Sequence, residues 1–383
     1  MHNGVMNMDE IRIGVIGFGF MGKTHTYAYK TIPLYYGNLP FRINLAGVYN
    51  PTRAAALKAV DELGYGRAAD SPGELIDSDD IDAIDICSPN IYHKDAVIQA
   101  IRNGKHVYCE KPLAADYAEA REILAVSEKS SVTTQMALQY RCFPATIRAK
   151  ELVDAGAIGN LMSFRCHYLH SGSVDPDKPI TWKLDKRFGG GGVLLDLGPH
   201  ALDLMYFLLG EYESVFAETK VIYSRRPDKN GSMVAIEAED LAILLVKMKY
   251  GGTGIIEASK IATGANDELR FEIHGDKGAI RFNLLNPNIL EYYDNTAPDQ
   301  PLGGTKGFMQ IDCIQKYREP GSAFPGPKYT AGWIRAHVHS LYNFLDCVYN
   351  KKQGSPSFKD GAYIQYVMEK AYESDAAKKW VIL

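Results

Sequence analysis

Three short stretches of this 383-residue sequence carry groups that can do chemistry. Gly189-Gly-Gly-Gly-Val-Leu-Leu-Asp196-Leu-Gly-Pro-His200 sets a carboxylate and an imidazole four residues apart, about one turn on a helix face. His200 is the candidate general base, because an imidazole titrates near neutrality. Asp196 either orients it or holds a substrate hydroxyl. Glu110-Lys111-Pro112 supplies an ammonium group: Lys111 can polarise a reacting oxygen or relay its proton, and burial would lower its pKa. The third stretch is Gly17-Phe18-Gly19-Phe20-Met21-Gly22, a G-x-G-x-x-G pattern whose glycines permit a tight turn and a close backbone approach to a pyrophosphate. A base, a partner for a developing alkoxide and a dinucleotide as hydride acceptor are what oxidation of a secondary alcohol requires.

These groups need a scaffold, and the pattern of the chain supplies one. Ile11 to Ile16, Ile43 to Tyr49, Ala83 to Cys87, His106 to Cys109 and Val132 to Leu138 read as buried strands alternating with helices, the signature of a parallel doubly wound sheet. The glycine pattern follows the first strand directly and opens a helix, so the backbone N–H groups of that helix start face a phosphate. The end of the second strand should read the adenosine ribose. Here it offers Asn50, which bonds a hydroxyl without repelling a phosphate, and Arg53, which either pairs with a 2′-phosphate or is a solvated helix residue. NAD and NADP both remain open. Ser88-Pro89-Asn90 follows the third of these strands, where a sheet of this kind places its ligand, with His93 just beyond. Asp116 and Glu119 form a capping-box-like helix start.

From Leu161 to about Tyr293 strands follow strands, with one helix at Leu194 to Leu209, which indicates an α+β unit with a large, mostly antiparallel open sheet. The boundary falls near Arg141, giving a dinucleotide-binding Rossmann domain over 1–140 and a substrate and oligomerisation domain over 141–383. A long surface loop is expected over 296–330, and closing helices over 333–349 and 361–378.

Bulk composition excludes several classes. Lysine and arginine total 42 against 46 aspartate and glutamate, so no net positive field attracts nucleic acid or anionic lipid. Six scattered cysteines without a C-x-x-C pair argue for a reducing compartment and against a zinc ribbon, and no metal site is read. The polar stretch Met1 to Glu10 lacks the apolar core of a signal peptide, and no apolar run is long enough to span a membrane. Cytoplasm is the expected address.

The order and spacing of the glycine pattern, Cys87-Ser-Pro-Asn90 with His93, Glu110-Lys-Pro112, and Gly190-Gly-Gly-Val-Leu-Leu-Asp196-Leu-Gly-Pro-His200 with Asp203 resemble the Gfo/Idh/MocA oxidoreductases over nearly the whole chain. The resemblance implies a Rossmann domain joined to an α/β domain whose open sheet mediates homo-oligomers (dimers or tetramers). It further implies that Lys111, Asp196 and His200 line the reaction site, with a cis bond expected at Lys111–Pro112. Ser171 to Lys183 is similar to the segment of family members that oxidise glucosides or anhydrosugars. That likeness makes Trp182 and Lys183 substrate-contact candidates, the indole by stacking on a sugar face and the lysine by donating to hydroxyls. The expected activity is NAD(P)-dependent hydride exchange with a ring hydroxyl of a sugar, glycoside or cyclitol. Two alternatives stand beside it: a sugar-modifying enzyme whose tightly held NAD is recycled internally, and a non-catalytic dinucleotide-binding sensor or co-repressor.

Overall fold

The computed structural model describes residues 9–383; all of the polar N-terminal stretch except Asp9 and Glu10 lies outside the described residues. Strands β1 (Asp9–Ile16), β2 (Phe41–Tyr49), β3 (Ala68–Ala69), β4 (Ala83–Ile86), β5 (His106–Glu110) and β6 (Thr134–Ala137) form one sheet in the order β3-β2-β1-β4-β5-β6. All its pairings are parallel. Helices α1 (Phe20–Tyr35), α2 (Arg53–Leu63), α3 (Pro72–Ile76), α4 (His93–Arg102) and α5 (Tyr117–Ser127) connect them. The strands are buried on both faces, as at Ala83–Ile86, because helices cover both sides. Strand order reverses between β1 and β4, and a crevice opens there beyond their carboxyl ends. At α5, Asp116 accepts from the Glu119 N–H at 2.9 Å. The Glu119 carboxylate reaches back to Ala115 rather than to the cap itself, so the box is offset by one residue.

After α6 (Pro144–Asp154) the chain builds a nine-stranded sheet from β7 (Leu161–Leu169), β8 (Tyr212–Lys220), β11 (Leu241–Met248), β12 (Thr253–Ser259), β13 (Glu268–Gly275), β14 (Gly278–Asn283), β15 (Ile289–Asp294), β16 (Met309–Asp312) and β17 (Val381–Ile382). A separate two-stranded hairpin, β9 (Arg225–Pro227) and β10 (Met233–Ala235), leaves the sheet after β8. The large sheet runs β16-β15-β14-β13-β7-β12-β11-β8-β17, antiparallel throughout except for the β7–β12 pair. Its inner face presents Phe164, Cys166, Leu244, Val246, Phe271 and Ile273 to a helical layer that includes Leu202 and Met205.

Two expectations need correction. The helix expected over Leu194 to Leu209 is interrupted. Short α7 (Lys186–Gly189) and α8 (Val193–Asp196) precede α9 (Gly198–Leu209), and the break falls at Leu197 because Pro199 has no N–H to continue the ladder. The expected loop over 296–330 contains β16, which pairs with β15 at the sheet edge, and a 3-10 turn at Pro301–Gly303. The surrounding Pro and Gly masked a four-residue strand.

Helices α10 (Trp333–Tyr349) and α11 (Phe358–Ala377) close the chain. Val338, Leu341, Phe344 and Leu345 of α10 pack into the first sheet's core with Tyr29 and Ile32 of α1. Helix α11 starts at Phe358, earlier than its apolar pattern predicts, because Ser357 and Asp360 cap it reciprocally. Among the described residues no single helix is long and apolar enough to cross a membrane.

Candidate active site

The crevice at the strand-order reversal continues into a cavity of about 1450 Å³ between the two sheets. Its nucleotide end is built by the turn after β1. Gly17 has φ of 97°, and a Cβ there would lie 2.7 Å from the Cys87 carbonyl, so only glycine lets the β1 and β4 ends sit together. A Cβ at Gly22 would meet the Gly17 oxygen at 2.2 Å, whereas Gly19 has nothing within 4 Å of its missing Cβ and lines the open cavity. A turn closed from behind and bare in front fits a dinucleotide pyrophosphate. Ser88 Oγ adds to the fit: it is buried in the cavity wall without a hydrogen-bond partner.

Asn50 lines the cavity, with its side-chain oxygen accepting from Phe18 N–H at 3.1 Å and its amide donating to the Thr52 carbonyl at 3.2 Å. It therefore braces the glycine turn as well as facing the ribose end. Phe20, Met21, Pro89, Asn90, Glu110 and Lys111 also reach the wall. Four sequence candidates take other places. Phe18 is buried against Tyr65, and Gly22 sits behind the turn. Arg53 faces Asp70 on the surface in an ion pair. His93 is fully buried between the Ser88 carbonyl at 2.8 Å and the Pro112 carbonyl at 3.0 Å, so it ties the two nucleotide-side loops together from underneath.

Beneath the same loops lies a buried polar cluster that the sequence did not signal. His25 of α1 has Nδ1 3.0 Å from Asp85 Oδ2 and Nε2 3.3 Å from Glu110 Oε1. Burial, the largest single influence, would lower the ring's pKa, but Asp85 and Cys87 together hold His25 well above the usual imidazole value. The other Glu110 oxygen accepts from Lys111 N–H at 3.1 Å, which fixes the loop carrying Lys111. The Lys111–Pro112 bond is cis, as expected.

Lys111 reaches across to the second sheet's side. Its ammonium donates to the Asp196 carbonyl at 2.8 Å and to Oδ1 at 3.0 Å. Lys183, from the loop that also carries Trp182, donates to Oδ1 at 2.9 Å and Oδ2 at 3.1 Å. Lys260, just past β12, lies 3.1 Å from Oδ2. Burial would push the Asp196 carboxyl up, yet Lys111, Lys260 and Lys183 hold it well below the usual carboxylate range. Burial pushes Lys111 down, partly offset by Asp196.

The expected Asp196–His200 couple is corrected by this arrangement. The helix breaks between them, Asp196 gives its oxygens to lysines, and buried His200 Nδ1 has no hydrogen-bond partner. His200 instead packs against the rings of Tyr140 at 4.7 Å and Tyr168 at 5.8 Å. Burial and the Lys111 charge hold the His200 ring well below its usual value, which favours the neutral imidazole.

The opposite wall is a directed chain of hydrogen bonds. Tyr168 OH donates to Asp267 Oδ1 at 2.5 Å, and His170 Nε2 lies 3.0 Å from the same oxygen. Since Tyr168 has spent its proton, Tyr140 OH donates to it across 2.6 Å, and Trp333 Nε1–H donates to Tyr140 at 3.2 Å. Both tyrosine oxygens can then only accept further bonds. Sequence reasoning missed Tyr140, Tyr168, His170, Lys260, Asp267 and Trp333. They come from five separate places in the chain, and no short-range spacing joins them.

Local devices hold these pieces. Buried Glu239 accepts from the N–H groups of Gly192 and Leu194, both at 3.0 Å, and so caps the turn leading to Asp196. Fully buried Arg226 on β9 donates to the carbonyls of Ser173 at 2.5 Å and Asp175 at 2.7 Å, fastening the base of the loop that carries Trp182 and Lys183.

The family model described as oxidoreductase family, NAD-binding Rossmann fold, matches residues 11–138. The GFO/IDH/MocA C-terminal domain model matches 146–281. Levoglucosan dehydrogenase of Pseudarthrobacter phenanthrenivorans is 30% identical over 390 residues, covering 98% of this chain and 98% of that protein. Myo-inositol 2-dehydrogenase of Thermotoga maritima is 31% identical over 275 residues, 70% of this chain and 74% of that protein. A solved levoglucosan dehydrogenase in complex with NADH and levoglucosan superposes with a TM-score of 0.93 at 28% identity, over 98% of this chain and 99% of that one.

Proposed function

Since the chain belongs to the Gfo/Idh/MocA oxidoreductase family with its NAD-binding Rossmann fold, we propose that it oxidises a ring hydroxyl of a sugar, glycoside or cyclitol. The observation that carries this reading is the meeting of Lys111 from the nucleotide half with Asp196 from the other half, at 3.0 Å, in the cavity that His200 and the glycine turn share. The dinucleotide, when bound, supplies the hydride acceptor. His200, neutral and with a free ring nitrogen, takes the hydroxyl proton. The Lys111 ammonium, held by Asp196, steadies the oxygen as negative charge develops on it. Tyr140 and Tyr168 accept from substrate hydroxyls, Lys183 donates to them, and Trp182 offers a face for stacking.

We infer NAD rather than NADP as the cofactor. The ribose end is walled by Asn50, Pro51, Thr52, Pro72 and Gly73 without a cation, and Arg53 is engaged by Asp70. A 2′-phosphate would find no counter-charge there. The free state of all six cysteines favours a reducing, cytoplasmic setting. A second copy of the chain is the proposed cover for the outer face of the large sheet.

A spectrophotometric screen of neutral sugars, glycosides and cyclitols with NAD and NADP in parallel tests the reading. Reduction of NAD by at least one of these compounds, with kcat/KM about tenfold or more above that with NADP, is expected. No turnover with any ring alcohol, or a preference for NADP, would count against it.

A further inference from the structure

Lys260 stands out among the groups around Asp196 because it does not line the cavity. It follows β12 directly, is 8% exposed, and its ammonium nitrogen has no hydrogen-bond partner. Its ion pair is with Asp196 Oδ2, at 3.1 Å. Lys111 and Lys183 line the cavity, whereas Lys260 stands behind the carboxylate. Burying an ammonium with so little compensation is costly for a purely structural purpose. Its backbone already serves the fold without the side chain: Lys260 N–H donates to the Asp240 carbonyl and its own carbonyl accepts from Ser173 N–H, both at 2.9 Å.

We propose that Lys260 is a positioning residue for the alcohol oxidation, anchoring Asp196 from behind so that its other oxygen aims Lys111 at the reacting hydroxyl. Lys111 takes Oδ1, Lys183 bridges both oxygens and Lys260 adds a second hold on Oδ2, so the carboxylate cannot rotate away without breaking that pair. Three ammonium groups on one carboxylate also remove Asp196 as a competing base, which leaves the hydroxyl proton to His200. The groups that bear most on His200 are Lys111 from the first half, Asp196, His337 of α10 and Lys183 from the loop, and Lys260 acts on it through its pair with Asp196. Taking one positive charge from this set raises the proton affinity of the others. The acid limb of kcat/KM, set by the base, then moves to higher pH.

The inference rests on the reading of Lys111, Asp196 and His200 as the reaction groups, and the test separates the two. Lys260→Met should fold, lose about tenfold or more in kcat with the KM for NAD within about twofold, and shift the acid limb upward. Lys260→Arg, which keeps the charge, should restore the limb. In an Asp196→Asn background the added Lys260→Met change should cost nothing further, because the anchored group is gone. Lys260→Gln is read in the same way should the methionine variant not fold. Wild-type kcat and pH profile in Lys260→Met, or a full independent loss in the Asp196→Asn background, would overturn the proposal for Lys260 alone. Wild-type turnover in Asp196→Asn would instead remove the underlying assignment of the site.

Discussion

Burial and the Lys111 ammonium both oppose the imidazolium form of His200, so its pKa is held well below the usual imidazole value and the neutral ring is favoured. Lys111 is pushed down by burial but kept from falling further by Asp196. A base with a depressed pKa is active down to lower pH. The acid limb of kcat/KM should therefore lie below the ordinary imidazole value of about 6.5, and the alkaline limb, set by loss of the Lys111 proton, below about 10.4. A pH–rate profile in the oxidative direction measures both; an acid limb at or above neutrality would contradict the assignment of His200. The individual groups were unequally legible. Lys111, Asp196 and His200 stand in short patterns with a recognisable chemistry, so the chain announces them. Lys260, Asp267 and Glu239 are single residues whose partners lie far away in sequence, and their roles arise only when the strands are paired. Arg53 and His93 were misleading for the opposite reason: each sits at a plausible offset from a motif, and a nearby carboxylate or carbonyl claims it instead.

Elements position these groups through a few buried polar fasteners. Glu239 ties the turn before α8, and Arg226 ties the substrate loop to the β9–β10 hairpin. The loop is also held where Ile180 N–H donates to the Pro227 carbonyl at 2.9 Å and Tyr223 OH to the Val174 carbonyl at 3.0 Å. Replacing Arg226 by Met leaves two loop carbonyls and Asp240 without their cation, at a cost of about 3 kcal/mol. The expected outcome is a lower melting temperature and a raised KM for the sugar, with the KM for NAD unchanged. Equal KM values for the sugar in the Arg226→Met variant and the unaltered protein would show that the loop holds itself. The alternation of strands and helices in the first half was readable because each strand is a short apolar run bounded by turn signals. The break at Leu197 was not, since the residues around it keep a helical apolar pattern and only Pro199 hints at the interruption. Strand β16 was hidden because its residues are exposed at a sheet edge and carry no burial pattern.

At the scale of the whole molecule, one face of the nine-stranded sheet is covered by helices and the other is open. On the open face Ile243, Leu245 and Ile255 form an apolar patch across β11 and β12, beside Glu257 of β12 and Arg165, Arg270, Glu272 and Arg281 on the strands beyond. Paired charges around an apolar centre suit a self-complementary contact with a second copy. Leu245→Glu with Ile243→Glu should turn an oligomer into a monomer in analytical ultracentrifugation; a monomeric unaltered protein would contradict the proposed cover. The proposed reaction site likewise exists only where the two sheets meet. Its most direct measurement is turnover of Lys111→Ala and of His200→Ala, each first shown by fluorescence titration to bind NADH as the unaltered enzyme does. The account predicts a loss of about 10²-fold or more in kcat/KM for each variant. Near-normal turnover of both variants, on a ring alcohol that the unaltered enzyme oxidises, would contradict it.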